Sequence, residues 1–150
     1  MLFSITADQL SQWFKPTSRR AQELLPGLIS RLINATAAVQ GFRFPEGDAI
    51  RLHGPDGRTH VKTGNQFVPD GSALWEMGTG EGVGKKVGKD FAKRSRAVAD
   101  ATSDAYVAVT PHIWEDKAAW IAKKKRAESG AKYAPLMPLT FRRGWTWHLR

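Results

Sequence analysis

The stretch SALWEMGTGEGVGKKVGKDFAKRSRAVADATSDAYVAVT, Ser72 to Thr110, decides the fold. SALWEMG is apolar and strand-like, GTGEGVG is a flexible glycine-rich loop, and Lys85 to about Ala101 reads as a helix. In that helix Val87, Phe91, Val98 and Ala101 share an inner face, while Lys85, Lys89, Lys93 and Arg96 form an outer stripe. AYVAVT is almost wholly apolar, as a strand buried on both faces must be. A strand, a helix and a doubly buried strand in that order imply a crossover between parallel neighbours. Inside this unit Glu76 places a carboxylate in an apolar run, close to a lysine-rich helix. Such an acid asks for a reason.

Upstream, Thr6 to Gln9 has the capping pattern of a short first helix that stops before Pro16. A second helix follows from Thr17, kinked at Pro26 and ended by Gly41, with Leu24, Leu28, Leu32 and Ala35 as its expected core stripe. FRF and DAIRLHG read as two short strands or one broken strand, and a Pro-Asp-Gly turn at Pro55 to Gly57 leads into a brief strand around His60 to Lys62. Downstream, a last helix spans about Glu115 to Glu128, with Trp114, Ala118 and Ile121 inward. Lys123, Lys124, Lys125 and Arg126 lie at its C-terminal end, where cations suit the helix dipole. The order is helix, two or three strands, helix, strand, helix, without an internal repeat. An α/β domain is expected.

At 150 residues the chain is of ordinary single-domain size. Its 23 Lys and Arg against 14 Asp and Glu give a formal charge of +9, which favours an anionic partner: nucleic acid first, an acidic membrane surface second. A merely soluble basic surface is the plain alternative. The absence of cysteine excludes disulfides, thiolate metal sites and a cysteine nucleophile. MLFSITADQLSQWF reads as neither a signal peptide nor a membrane span, so a cytoplasmic protein is expected.

Two acids stand out. Asp56 sits in the turn at the mouth of one strand, and Glu76 lies twenty positions later in the next strong strand. If those strands are neighbours, the carboxylates converge at one sheet edge. Two oxygen ligands with room for water and phosphate suit Mg²⁺, which polarises phosphodiesters and acidifies water. Asp56 as a simple turn former is the competing reading.

FRFPEGDAI, GPDG, FVPDGSALWEMGTG, the KK…KDFAKRS run and YVAVTPHIWEDKAAWIAKKKRA, in this order, resemble the Mrr-like nuclease module of the PD-(D/E)xK superfamily, found at the N-terminus of bacterial anti-phage defence ATPases. The resemblance runs from about Ile5 to Glu128. It implies a restriction-endonuclease-like αβββαβ core over residues 1–130, a central mixed sheet flanked by helices, followed by an atypical tail over 131–150. It also implies a DNA endonuclease using Mg²⁺ or Mn²⁺, with Asp56 and Glu76 as metal-binding acids and Asp48 as a further recurring acid. The superfamily usually carries a lysine two residues after the second acid, where this chain has Gly78. Lys86, on the following helix, best matches the lysine of this branch. Lys85, Lys89, Lys93, Arg94 and Arg96 would grip the DNA backbone. A homo-oligomer or a separate defence ATPase is the implied protein partner. The tail GAKYAPLMPLTFRRGWTWHLR is basic and aromatic where the family continues acidic, which leaves room for a catalytically inactive DNA-binding or effector-docking module.

Other residues point less far. His53, His60, His112 and His148 lack zinc-site spacing, although His60 is close enough in sequence to Asp56 to hydrogen-bond it. Ser72, Ser95 and Ser103 have no nucleophile-elbow context, and GTGEGVG lacks a nucleotide-loop pattern because Lys86 follows Lys85. Trp75 and Trp114 read as packing residues. Trp145 and Trp147, beside Arg142 and Arg143, have the composition of a base-stacking platform.

Overall fold

Side-chain alternation along the two central strands organises the molecule. The computed structural model describes residues 19–45, 54–96, 105–112, 114–127 and 139–140, with Gln9 and Gln12. Its elements are α1 (Arg19–Thr36), β1 (Val39–Arg43), β2 (Gly57–Val61), β3 (Gly71–Met77), α2 (Val83–Arg96), β4 (Ala105–Thr110), α3 (Lys117–Ala127) and β5 (Leu139–Thr140). The five strands lie side by side in chain order. β1, β2 and β3 form an antiparallel meander; β4 is parallel to β3, and β5 is parallel to β4. The architecture is α/β with a mixed sheet, and α2 is the crossover between the parallel strands β3 and β4.

Every residue of β4 is buried, as is β3 from Ala73 to Met77, because both strands are covered on both faces. Ala73, Trp75 and Met77 of β3 and Ala105, Val107 and Val109 of β4 join one core with Leu25, Ile29 and Ile33 of α1. Leu74, Tyr106 and Ala108 join a second core with Val83, Val87 and Phe91 of α2. Even-numbered positions of these strands therefore face α2, and Glu76 is one of them. Trp75 is fully buried, and its indole N–H donates to Thr59 Oγ1 at 2.9 Å, satisfying the polar end of an otherwise apolar side chain.

Several expectations shift. The α1 core stripe is Leu25, Ile29 and Ile33; Leu24 is exposed, Leu28 and Leu32 are half-buried and Ala35 faces solvent. α1 ends at Thr36, and Gly41 belongs to β1, with Pro26 inside the helix. Of FRF, Phe42 and Arg43 close β1, whereas most of DAIRLHG lies outside the described residues, as do Val98, Ala101, Trp145, Trp147 and all of the expected first helix but Gln9 and Gln12, which are helical. Of the expected tail, Leu139 and Thr140 are described and add β5 to the sheet beside β4. On α3 Trp120 makes the inward contact rather than Ala118, which is exposed. The Trp120 ring meets Phe91 edge-on with centroids 5.8 Å apart, and Lys124 Nζ lies 5.0 Å from the Phe91 centroid. Lys124 thus caps an aromatic cluster as a cation–π partner. Among the described residues no helix is long and apolar enough to cross a membrane.

Candidate active site

The antiparallel register pairs Gly57 with Trp75, which leaves Asp56 just before the paired strand and Glu76 just after its partner. Glu76, an even-numbered position of β3, looks toward α2, where Arg94 meets it. Asp56 Oδ2 accepts the backbone N–H of Met77 at 2.6 Å, tying the mouth of β2 to the end of β3. Gly57 is required beside it, since a Cβ there would lie 2.3 Å from the Phe44 ring. Asp56 and Glu76 are thus near enough for the Asp56 charge to act on Glu76, while the paired register itself ends at Gly57 and Trp75.

Glu76 is 6% exposed. Arg94 of α2 donates through Nε to Glu76 Oε1 and through a terminal nitrogen to the Gly54 carbonyl. Burial nevertheless pushes the Glu76 carboxyl from 4.5 up to about 7; the hydrogen bond and charge of Arg94 pull it down, and the charges of Asp56 and Asp90 push it up. Desolvation outweighs the salt bridge here, as expected when a pair is taken out of water.

Arg94 departs from the backbone-gripping role expected of it: it is 8% exposed and turned into the fold. The physical reason is helical phase. Val83, Val87, Phe91 and Arg94 form one buried row at spacings of four, four and three, and that spacing was the available sequence signal. Lys85, Lys89, Lys93 and Arg96 are exposed on the outer side of α2.

Lys86 reaches from α2 over the end of β3. Its aliphatic stem lies across Gly78, where an added Cβ would come 2.8 Å from Lys86 Cε and 2.9 Å from Cδ. The space a side chain would take two residues after Glu76 is therefore filled by Lys86 reaching in from α2. Its ammonium pairs with Asp90, one helical turn on, an i, i+4 pair visible in the sequence but not singled out there. Lys86, Asp90, Glu76 and Tyr106 line a shallow cleft between α2 and the β3–β4 edge.

Asp48 and His53 lie outside the described residues. His60 pairs across the ladder with Ser72, Nδ1 to Oγ 3.0 Å, rather than with Asp56. His112 Nε2 donates to the Thr79 carbonyl at 2.6 Å, bracing the loop that leads into α2. Among the described residues no three His, Asp or Glu side chains gather as a metal cage. Comparison of the chain with protein-family models, curated proteins and solved structures finds no match.

Proposed function

We propose that the chain is a metal-dependent DNA endonuclease of the PD-(D/E)xK type, acting in anti-phage defence or restriction. The observations that carry this reading are that Asp56 holds the Met77 backbone beside Glu76 and its charge acts on Glu76, while Lys86, reaching in from α2, lies over Gly78 and lines one cleft with Glu76. The element order, a helix, an antiparallel three-stranded meander, a crossover helix and a parallel strand, supports the restriction-endonuclease-like form of the α/β fold.

The acids fit Mg²⁺ or Mn²⁺. They are hard oxygen donors, and the charge of Asp56 disfavours the charged form of Glu76, a repulsion that a divalent cation relieves. Asp56 and Glu76 would hold the ion, with water and phosphate supplying the remaining ligands. Such an ion, when bound, polarises a phosphodiester and lowers the pKa of water. Lys86 stabilises the charge that develops on the phosphate, and Lys85, Lys89, Lys93 and Arg96 hold the DNA backbone along the exposed side of α2.

One observation favours a second reading, a DNA-binding or effector-docking module without catalysis: the Arg94 guanidinium already engages Glu76. Purified protein incubated with supercoiled and linear DNA in Mg²⁺, Mn²⁺ or chelator separates the two. Divalent-dependent nicking supports the nuclease. Retained DNA binding with no cleavage under any metal supports the module.

A further inference from the structure

Tyr106 has a phenol that the site described above does not use. The residue is 6% exposed and sits on the α2 face of β4, and its ring meets Phe91 edge-on at 5.3 Å. Among the described residues its hydroxyl has no hydrogen-bond partner, although it is buried. A buried unsatisfied hydroxyl is costly and uncommon, and the cleft that Tyr106 lines is open space beside it among the described residues.

The cleft has three properties. Its floor offers room for about one water molecule. It is lined by the carboxylates of Glu76 and Asp90, which only accept when ionised, and by Lys86, which only donates. Burial and the charges of Glu76 and Asp90 raise the Tyr106 phenol well above its ordinary pKa, so it keeps its proton and remains a donor. A water molecule needs two to four polar partners, and here a neutral O–H donor and two carboxylate acceptors surround one small space.

We propose that the cleft floor is a water site in which Tyr106 donates a hydrogen bond to the water and Glu76 and Asp90 accept from it. Tyr106 is then a positioning residue. It holds that water beside Glu76, where the hydrolysis proposed above consumes one. The role in hydrolysis rests on the nuclease reading; the water site does not.

The test therefore has one arm that ignores activity. A crystal structure of the wild-type protein at a resolution that shows ordered solvent should contain density within hydrogen-bond distance of Tyr106 Oη, and magnetic relaxation dispersion should count one fewer long-lived water in Tyr106→Phe. A Tyr106 hydroxyl bonded directly to a protein group, or an unchanged count of long-lived waters in the variant, overturns the proposal. In the second arm, single-turnover cleavage at saturating DNA should fall about tenfold or more in Tyr106→Phe with DNA affinity unchanged, as for loss of one positioned hydrogen bond. If the water is found and neither protein cleaves DNA, the site stands and the nuclease reading fails. If wild type and variant cleave equally, the positioning role fails while the nuclease reading survives.

Discussion

Glu76 is a buried carboxyl with a raised pKa, and its titration gives the first prediction. Its folded pKa, about 7, lies above the 4.5 of an exposed glutamate, so between those values the folded chain holds a proton that the unfolded chain has lost. The stability this contributes is complete below pH 4.5 and is lost as pH rises through 7, by at most about 3 kcal/mol. Glu76→Gln should flatten that part of the stability–pH curve in urea titrations at pH 5 and pH 8; an unchanged slope would place the titration elsewhere. Lys86 and Gly78 supply a second prediction. Lys86→Ala removes a cation proposed to act on transition-state charge and should cost about 10²–10³ in single-turnover cleavage at saturating DNA. Lys93→Ala, on the exposed side of α2, should instead weaken binding by about 1 kcal/mol or less. Gly78→Ala leaves Lys86 in the sequence but puts a methyl group where its stem lies, so it should reproduce the Lys86→Ala defect while DNA affinity holds. Full activity in Gly78→Ala would show that the Lys86 position over Gly78 is unimportant.

At the scale of the element, α2 has two unlike sides. Its inner row holds Val83, Val87, Phe91 and Arg94, and its outer side carries Lys85, Lys89, Lys93 and Arg96. If those four cations each neutralise a phosphate, log K should fall against log salt with a slope near −3 to −4, from roughly −0.9 per contact. Lys89→Glu with Lys93→Glu should weaken binding to all sequences and reduce that slope by about 2; filter binding across a salt series measures both. The outer stripe was legible in the sequence because cations spaced four, four and three apart share a helix side under any choice of helix boundary. The inner row was only partly legible, since Arg94 is read as one more cation until Glu76 is known to lie beneath it. On α1 the series Leu24, Leu28, Leu32 and Leu25, Ile29, Ile33 both have four-residue spacing and lie one position apart, and only the sheet's location selects the second. That Asp56 and Glu76 come near each other was legible because a turn and the next strand make a meander, but the strand register, which begins at Gly57 and Trp75, is something spacing does not fix.

For the molecule as a whole, a bound divalent ion and a stable fold are thermodynamically linked, which tests the metal assignment without any substrate. An ion that binds only the folded chain stabilises it by about 2.7 kcal/mol at a hundred times its Kd, and for a chain of this length each kcal/mol moves Tm by roughly 2–4 °C. Saturating Mn²⁺ should therefore raise Tm by about 5–10 °C in the wild-type protein and by much less in Glu76→Gln. The effect should also depend on pH in a definite direction. Glu76 must give up its proton to act as a ligand, and with its pKa near 7 that proton is still bound at pH 6. Below that pKa, Mn²⁺ affinity should fall by about tenfold per pH unit for one displaced proton; above it the affinity should level off. Thermal unfolding at fixed Mn²⁺ should then show a small shift at pH 6 and a larger one at pH 8, the reverse of the metal-free trend at this residue. The Arg94 guanidinium must move off Glu76, or share it with the ion, for this to happen. A Tm indifferent to Mn²⁺ at both pH values would mean that Arg94 keeps the carboxylate, and the non-catalytic module would be the better account of the fold.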